Sequence, residues 1–232
     1  SLGELCQWIS EKAMELGVDI FPGFPAQKYL TDESGRVIGI ATGDMGIDKE
    51  GNHKGTYTPG MDILAKQTIF AEGARGHLGK KLIKAFNLDE GKTPQHFAIG
   101  FKEVWEVDND KHSPGDVVHT MGWPLKGGTS GGGFLYHFDN NRIAVGLIVD
   151  LNYSNPSHSP FQEFQQFKQH PSIKQYLESG KRVSYGARAI TKGGINSLVK
   201  MEFDGGMIVG CDAGTLNPSK IKGSHCAFQS GI

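Results

Sequence analysis

Between Gly205 and Gly231 the sequence runs GGMIVGCDAGTLNPSKIKGSHCAFQSG, an apolar stretch followed by glycines, an aspartate and a polar turn. Met207 to Val209 has the composition of a buried strand, and it delivers Gly210 and Asp212 to its carboxyl end, where open α/β sheets place their ligands. A carboxylate there can accept hydrogen bonds from sugar-alcohol hydroxyls. The first amides of a following helix can stabilise negative charge on a carbonyl as it is reduced. Both are requirements of a flavin. The same residues also allow a plainer reading, in which Asp212 caps a turn and the glycines serve packing.

A second group is Ser130-Gly131-Gly132-Gly133-Phe134-Leu135-Tyr136-His137, three glycines entering an aromatic strand. Glycine removes Cβ, so a flat ring can approach the backbone and its carbonyl oxygen can take a main-chain N–H. Quinone carbonyls need such donors; a glycine bulge in a sheet is the other reading. Tyr136 and His137 could deliver protons to a reduced quinone, since histidine titrates near neutrality. In a strand they point to opposite faces, so at most one can line a given pocket. A third group is Phe70-Ala71-Glu72-Gly73-Ala74-Arg75-Gly76, a buried strand ending in a glycine turn before a helix, a common packing device.

The elements that must position these groups read as a mixed α/β chain. Leu2, Leu5, Ile9, Ala13 and Leu16 recur at helical spacing, and Val18 to Phe21 then suggests a short buried strand. Ala26 to Leu30 and Val37 to Thr42 read as a hairpin, Asp44 to Gly60 as an exposed loop, and Ile63 to Ala71 as one strand before a helix from Arg75 to Phe86. His96 to Val107, Asp116 to Leu125, Gly131 to Phe138 and Arg142 to Leu151 suggest an antiparallel meander. Pro160 to Gln169 and Pro171 to Glu178 suggest two helices with proline at the first position. Lys181 to Ile190 reads as a strand, Gly206 to Val209 as a short buried one, and Lys220 to Ser230 as a helix.

With 232 residues, 38% of them hydrophobic, the chain can bury a core, and its 33 glycines are too many for a helix bundle. A net charge of -1, from 24 basic and 25 acidic residues, gives no reason to expect nucleic acid as a partner. Cys6, Cys211 and Cys226 lack the spacing of a metal or cluster set and fit reduced thiols, so no metal ligands are assigned. No apolar run reaches the ~20 residues needed to span a bilayer. Both ends fall inside helical patterns, as expected of a piece of a longer polypeptide.

The long string from Gly205 to Gly231, with its run Asn217-Pro218-x-Lys220-Ile221-Lys222-Gly223-x-His225, resembles the second flavin motif of the electron-transfer-flavoprotein:ubiquinone oxidoreductase family. The resemblance extends along the chain through Glu72, Trp123-Pro124-Leu125, the glycines before Phe134, Ser159-Pro160-Phe161, Lys181-Arg182 and Tyr185-Gly186-Ala187-Arg188. It covers the middle of the family's polypeptide. It implies a glutathione-reductase-type FAD domain in parts, residues 1–92 and 191–232, with an antiparallel-sheet ubiquinone-binding domain inserted at 93–190. Gly131 and Gly132 would bind ubiquinone. Gly133 stands where the family often has serine. Glu72, Gly73, Arg75, Asp212, Gly214, Asn217 and Gly223 would bind FAD.

The resemblance further implies electron transfer from reduced electron transfer flavoprotein, through FAD and a 4Fe-4S cluster whose ligands lie outside this chain, to ubiquinone. Peripheral attachment to the mitochondrial or bacterial inner membrane goes with it. No GxGxxG pyrophosphate turn occurs in residues 1–232, so this segment alone would hold FAD incompletely and is expected to be inactive. A geranylgeranyl-reductase-like flavoprotein, reducing an isoprenoid double bond, is the enzymatic alternative. A sheet module with a glycine-rich groove is the non-enzymatic one.

Overall fold

The computed structural model describes residues 1–232 and shows a mixed α/β chain with four sheets. Helix α1 (Leu2–Glu15) begins with a capping box, in which the Ser1 hydroxyl accepts from the Glu4 N–H and the Glu4 carboxylate takes the Ser1 amine. None of its residues is buried. Val18 to Phe21, expected as a buried strand, is irregular and exposed. No strand pairs with it, and β-branched residues favour a strand only where a ladder and a half-buried surface receive them.

Strands β1 (Ala26–Thr31) and β2 (Val37–Thr42) form the expected hairpin. Asp32 Oδ1 shapes its turn by accepting from the Ser34 and Arg36 N–H groups at 2.9 and 3.0 Å. The segment expected as a loop from Asp44 to Gly60 is itself a hairpin of β3 (Met45–Ile47) and β4 (His53–Thr58). Its strands are largely exposed, so the alternation that betrays a half-buried strand is missing from the sequence.

The single strand read from Ile63 to Ala71 is two. β5 (Asp62–Leu64) pairs antiparallel with β2, and after the Ala65 N–H bonds to Ile38 O the chain crosses to another sheet as β6 (Thr68–Phe70). Helix α2 (Gly79–Ala85) starts four residues later than expected, because the Leu78 and Gly79 amides are taken by the Glu72 carboxylate.

The largest sheet contains β7 (Phe97–Glu106), β8 (Val117–Thr120), β9 (Gly131–Phe138), β10 (Arg142–Asp150) and β11 (Lys181–Thr191), in the order β11-β7-β10-β9-β8. A simple meander would pair β7 with β8; instead only β8, β9 and β10 follow one another, and β7 lies between β10 and β11. β10 is buried almost throughout and needs a full-length partner on each side. β7 supplies one from Ala98 to Glu106, which the short β8 cannot.

Helices α3 (Pro160–Gln169) and α4 (Pro171–Leu177) cover one face of this sheet. Phe164, Phe167, Ile173 and Leu177 pack there on Leu135, Ile143, Val145, Leu147 and Val149. Each such aromatic burial is worth about 1.5–3 kcal/mol.

A second core, with Val37, Phe70, Leu78, Leu82 and Ile208, lies beneath β12 (Glu202–Phe203) and β13 (Gly206–Ile208). β13 runs parallel to β6, joining parts of the chain separated by more than half its length. Helix α5 (Ser224–Ser230) is shorter than expected. Residues 217–222 close on themselves instead, through the Asn217 N–H to Lys222 O and the Lys220 N–H to Asn217 Oδ1.

Candidate functional site

On the sheet face away from α3 and α4 lies a cavity of about 710 Å³. Gly131, Gly132, Phe134 and Tyr136 of β9, Ile148 of β10 and Ile190 of β11 form one wall. Leu216, Pro218, Ile221 and Lys222 form the other. The loop that carries Gly214, Asn217 and Gly223 therefore closes directly over Gly131 and Gly132. β8 ends at Thr120, opposite Gly133, so the outer edge of β9 at Gly131 and Gly132 has no strand beside it.

The three glycines are required for different reasons. A Cβ at Gly131 would strike the Ile148 carbonyl, one at Gly132 the Thr120 carbonyl, and one at Gly133 the ring of Phe167. Gly133 thus belongs to the helix-packed face. The family's frequent serine at this position would press on Phe167 in this chain.

β9 alternates as expected, and the structure decides which of Tyr136 and His137 meets the cavity. Tyr136 does, with burial raising its phenol pKa. His137 points to the helices, 4% exposed, between the rings of His112 and Tyr176. The Ser113 N–H donates to its Nδ1 at 3.0 Å. Burial, and then the neighbouring His112, push its pKa down and keep it neutral. The proton-delivery role considered for His137 is corrected accordingly. His137→Gln is expected to cost about 1–3 kcal/mol of stability through the lost Ser113 partner, with ligand affinity in the cavity unchanged, as read by urea denaturation beside a ligand titration.

Beside the cavity, the parallel strands β6 and β13 end together, and the loops that leave them touch. Glu72 Oε2 accepts from the Leu78 and Gly79 N–H groups at 2.8 and 2.7 Å, which closes the start of α2. The Glu72 N–H donates to Asp212 Oδ2 at 3.4 Å. The Asp212 carboxylate rests where Cβ atoms of Gly76 and Gly79 would be. It is 8% exposed. Burial raises its pKa to about 6, the Glu72 charge adds to the rise, and the Glu72 and Gly76 amides oppose it. Its side chain thus ties two loops together, leaving only its unused lone pairs for a sugar hydroxyl.

Gly73 has φ +88° at the strand exit, and the Arg75 guanidinium lies 5.3 Å from the Phe97 ring centre. Gly214, at φ +92°, faces the Gln95 amide. The cofactor candidates therefore fall into two adjoining sets: Glu72, Gly73, Arg75 and Asp212 at the strand ends, and Gly214, Asn217 and Gly223 in the loop over the cavity. Two cavity residues escaped the sequence reading, Asp150 and Lys192, which form an ion pair in the wall. The aspartate ending the apolar run of β10 was the one available signal.

Residues 97–190 match the family model described as ETF-QO, ubiquinone-binding. Across the whole chain, identity is 62% to the electron transfer flavoprotein-ubiquinone oxidoreductase of Pseudomonas aeruginosa, covering 42% of that protein. It is 51% to the mitochondrial protein of that name from Arabidopsis thaliana and 50% to the human one, covering 37% and 38% of them.

The chain matches a segment of the electron transfer flavoprotein-ubiquinone oxidoreductase family.

It spans about two fifths of the length of the curated relatives it matches, 37% to 42%. Among solved structures, a geranylgeranyl bacteriochlorophyll reductase-like protein from Thermoplasma acidophilum superposes with a TM-score of 0.70 at 18% identity, over 98% of this chain and 51% of that one. A flavin-dependent brominase superposes at 0.66 with 14% identity, over 99% and 52%. At such identities these show a shared fold. No helix of the chain is long and apolar enough to cross a membrane.

Proposed function

We propose that this segment supplies the ubiquinone-facing sheet and part of the FAD site of an electron-transferring-flavoprotein dehydrogenase. The observation that carries this reading is the closure of the loop containing Gly214, Asn217 and Gly223 over the cavity that Gly131 and Gly132 line. A flavin held by that loop and a quinone held by those glycines would share one cavity.

The donor set suits part of a flavin site. Two loops leave the ends of adjacent parallel strands, the position at which such folds bind cofactors, and glycines at 76 and 79 let the loops approach each other. Glu72, Gly73, Arg75 and Asp212 would contact one portion of FAD, and Gly214, Asn217 and Gly223 another. FAD, when bound, supplies the carrier that accepts and releases electrons.

The chain's own contribution is positional. The unpaired edge of β9 offers main-chain groups to a quinone carbonyl, the aromatic wall at Phe134 and Tyr136 excludes water, and the loop at 216–222 closes the far side. Ubiquinone takes up two electrons and two protons to become the quinol, and Tyr136 is the phenol nearest this route.

In this reading residues 1–92 and 191–232 form the FAD domain in two parts, which agrees with the pairing of β6 and β13, and 93–190 form the ubiquinone-binding domain. Reduced electron transfer flavoprotein would be the donor. A 4Fe-4S cluster would be ligated elsewhere in the whole protein, which would sit peripherally on the mitochondrial or bacterial inner membrane because ubiquinone is insoluble in water. The isoprenoid-reducing alternative shares the fold, but the far higher identity to the quinone enzymes favours the first reading.

The test is Gly132→Val in the full-length enzyme. A valine there meets the Thr120 carbonyl and fills the cavity edge, so affinity for a short-chain ubiquinone is expected to fall by about tenfold or more, about 1.4 kcal/mol per factor of ten. Flavin content and reduction by electron transfer flavoprotein should be retained. Unchanged quinone affinity in a variant that keeps its fold would place the quinone elsewhere.

A further inference from the structure

We propose that Lys192, held by Asp150, is a charged anchor in the sheet wall of the cavity and donates a hydrogen bond to a carbonyl oxygen of a planar conjugated ligand, one whose oxygen gains negative charge on reduction. The inference rests on the cavity reading above and names a recognition element within it.

Asp150 is the last residue of β10, on the cavity face with Ile148, the partner of Gly132 across the ladder. Its N–H donates to Ser130 O at 2.9 Å, which sets it one step from Gly131. The residue is 7% exposed. Lys192 Nζ donates to Asp150 Oδ2, and Oδ1 is buried without any hydrogen-bond partner. A carboxylate in such a wall is tolerable only when paired, so the aspartate fixes where the ammonium stands.

The Lys192 backbone is fixed as well, by its N–H to His96 O at 2.7 Å. Its side chain is 35% exposed and lines the cavity. An ammonium carries three N–H donors, and Asp150 is the one side-chain acceptor that Lys192 engages. Donors therefore remain for a ligand on the sheet side of the cavity, where glycine, Ile148, Ile190 and the rings of Phe134 and Tyr136 surround the pair; the other cation of the lining, Lys222, stands on the loop side.

The charge balance selects the ligand class. Asp150 neutralises Lys192, so the pair does not favour a full anion such as phosphate over a neutral acceptor. It does favour a carbonyl oxygen whose partial charge grows as electrons arrive. An isoprenoid double bond offers no acceptor to this pair.

Two ligands of the proposed enzyme carry such oxygens, the quinone and the flavin, and the experiment separates them. In the full-length holoenzyme, Lys192→Gln, Lys192→Arg and Gly132→Val are compared by equilibrium titration with a short-chain ubiquinone and by the midpoint potential of the bound flavin. A hydrogen bond to a charged donor is worth about a tenfold to hundredfold change in affinity.

If the anchored oxygen is the quinone's, Lys192→Gln weakens quinone binding by about tenfold or more, Lys192→Arg recovers part of it, and the flavin potential stays. If it is the flavin's, quinone affinity stays and the potential falls in Lys192→Gln, with partial recovery in Lys192→Arg. Either pattern supports the anchor. A Lys192→Gln protein that melts lower but moves neither quantity overturns it and leaves the pair a structural ion pair. Gly132→Val distinguishes the levels: if it too leaves quinone binding unchanged, the cavity reading fails, whereas if it weakens binding while Lys192→Gln is silent, only the anchor fails.

Discussion

Glu103→Ala is expected to lower folding stability by about 3–5 kcal/mol, the largest loss for any single polar side chain of the sheet. Glu103 is 3% exposed on the helix-covered face. Its two oxygens accept from Lys168 Nζ at 2.9 Å each, from the Arg182 guanidinium at 3.2 Å and from Trp105 Nε1 at 2.9 Å. The carboxylate is fully satisfied and ties β7, β11 and α3 together. Truncation leaves the Lys168 ammonium largely buried with no counter-charge, which explains why the loss exceeds that of a surface pair.

The consequence reaches the cavity. Lys168 follows Phe167, whose ring backs Gly133, so loosening α3 loosens the strand that carries Gly131 and Gly132. Urea denaturation measures the loss. In a double-mutant cycle with Lys168→Met, the loss from the second substitution should be much smaller than from the first, since no uncompensated ammonium remains beside the mutated site. Equal, additive losses would show that the pair is not coupled.

Asp212→Asn is expected to change the pH dependence of stability. The folded-state pKa of Asp212, about 6, stands above the ordinary 3.8 because burial and the Glu72 carboxylate disfavour its charge. Below pH 3.8 both folded and unfolded chains hold the proton, and the group has no effect. As the pH rises toward 6 the unfolded chain ionises first, so the folded state loses ground, and above about 6 the penalty is complete. A displacement of about two pH units corresponds to about 3 kcal/mol.

Asparagine carries no such penalty and retains an acceptor for the Glu72 N–H. Relative to Asp212→Asn, the unsubstituted protein should therefore lose about 3 kcal/mol between pH 4 and pH 7. Denaturation curves for both proteins across that interval decide the matter. Parallel stability profiles would mean that the carboxylate is not held near Glu72 as described.

The long, strongly patterned elements were legible in the residues. α1, α3 and α4 carry apolar steps of three and four with serine or proline at their starts, and β7, β9 and β10 are long runs rich in apolar residues between turn residues. Glycine turns after two short apolar runs pointed to the strand ends where Glu72 and Asp212 lie. The Gly131-Gly132 pair was visible as an anomaly in an aromatic strand, and it gained a role through the family resemblance.

The strand errors share one cause, that strand formation depends on a partner. Val18 to Phe21 has strand composition but no neighbour to bond. The segment from Asp44 to Gly60 has little strand composition but pairs with itself. Ile63 to Ala71 looks like one strand because local sequence does not register the step from β2 to β13.

What the sequence determined by itself was local: which stretches are apolar and at what period, where glycine or proline breaks them, and which unusual residues sit at the breaks. Tertiary structure decided the rest. It placed β7 between β10 and β11, turned His137 toward the helices and Tyr136 toward the cavity, brought Asp212 to Glu72 across 140 residues, and set Lys192 on Asp150. Side-chain period is fixed within a few residues by backbone geometry. Pairing, facing direction and the environment of a charge depend on groups distant in sequence, and these are the properties on which a binding site rests.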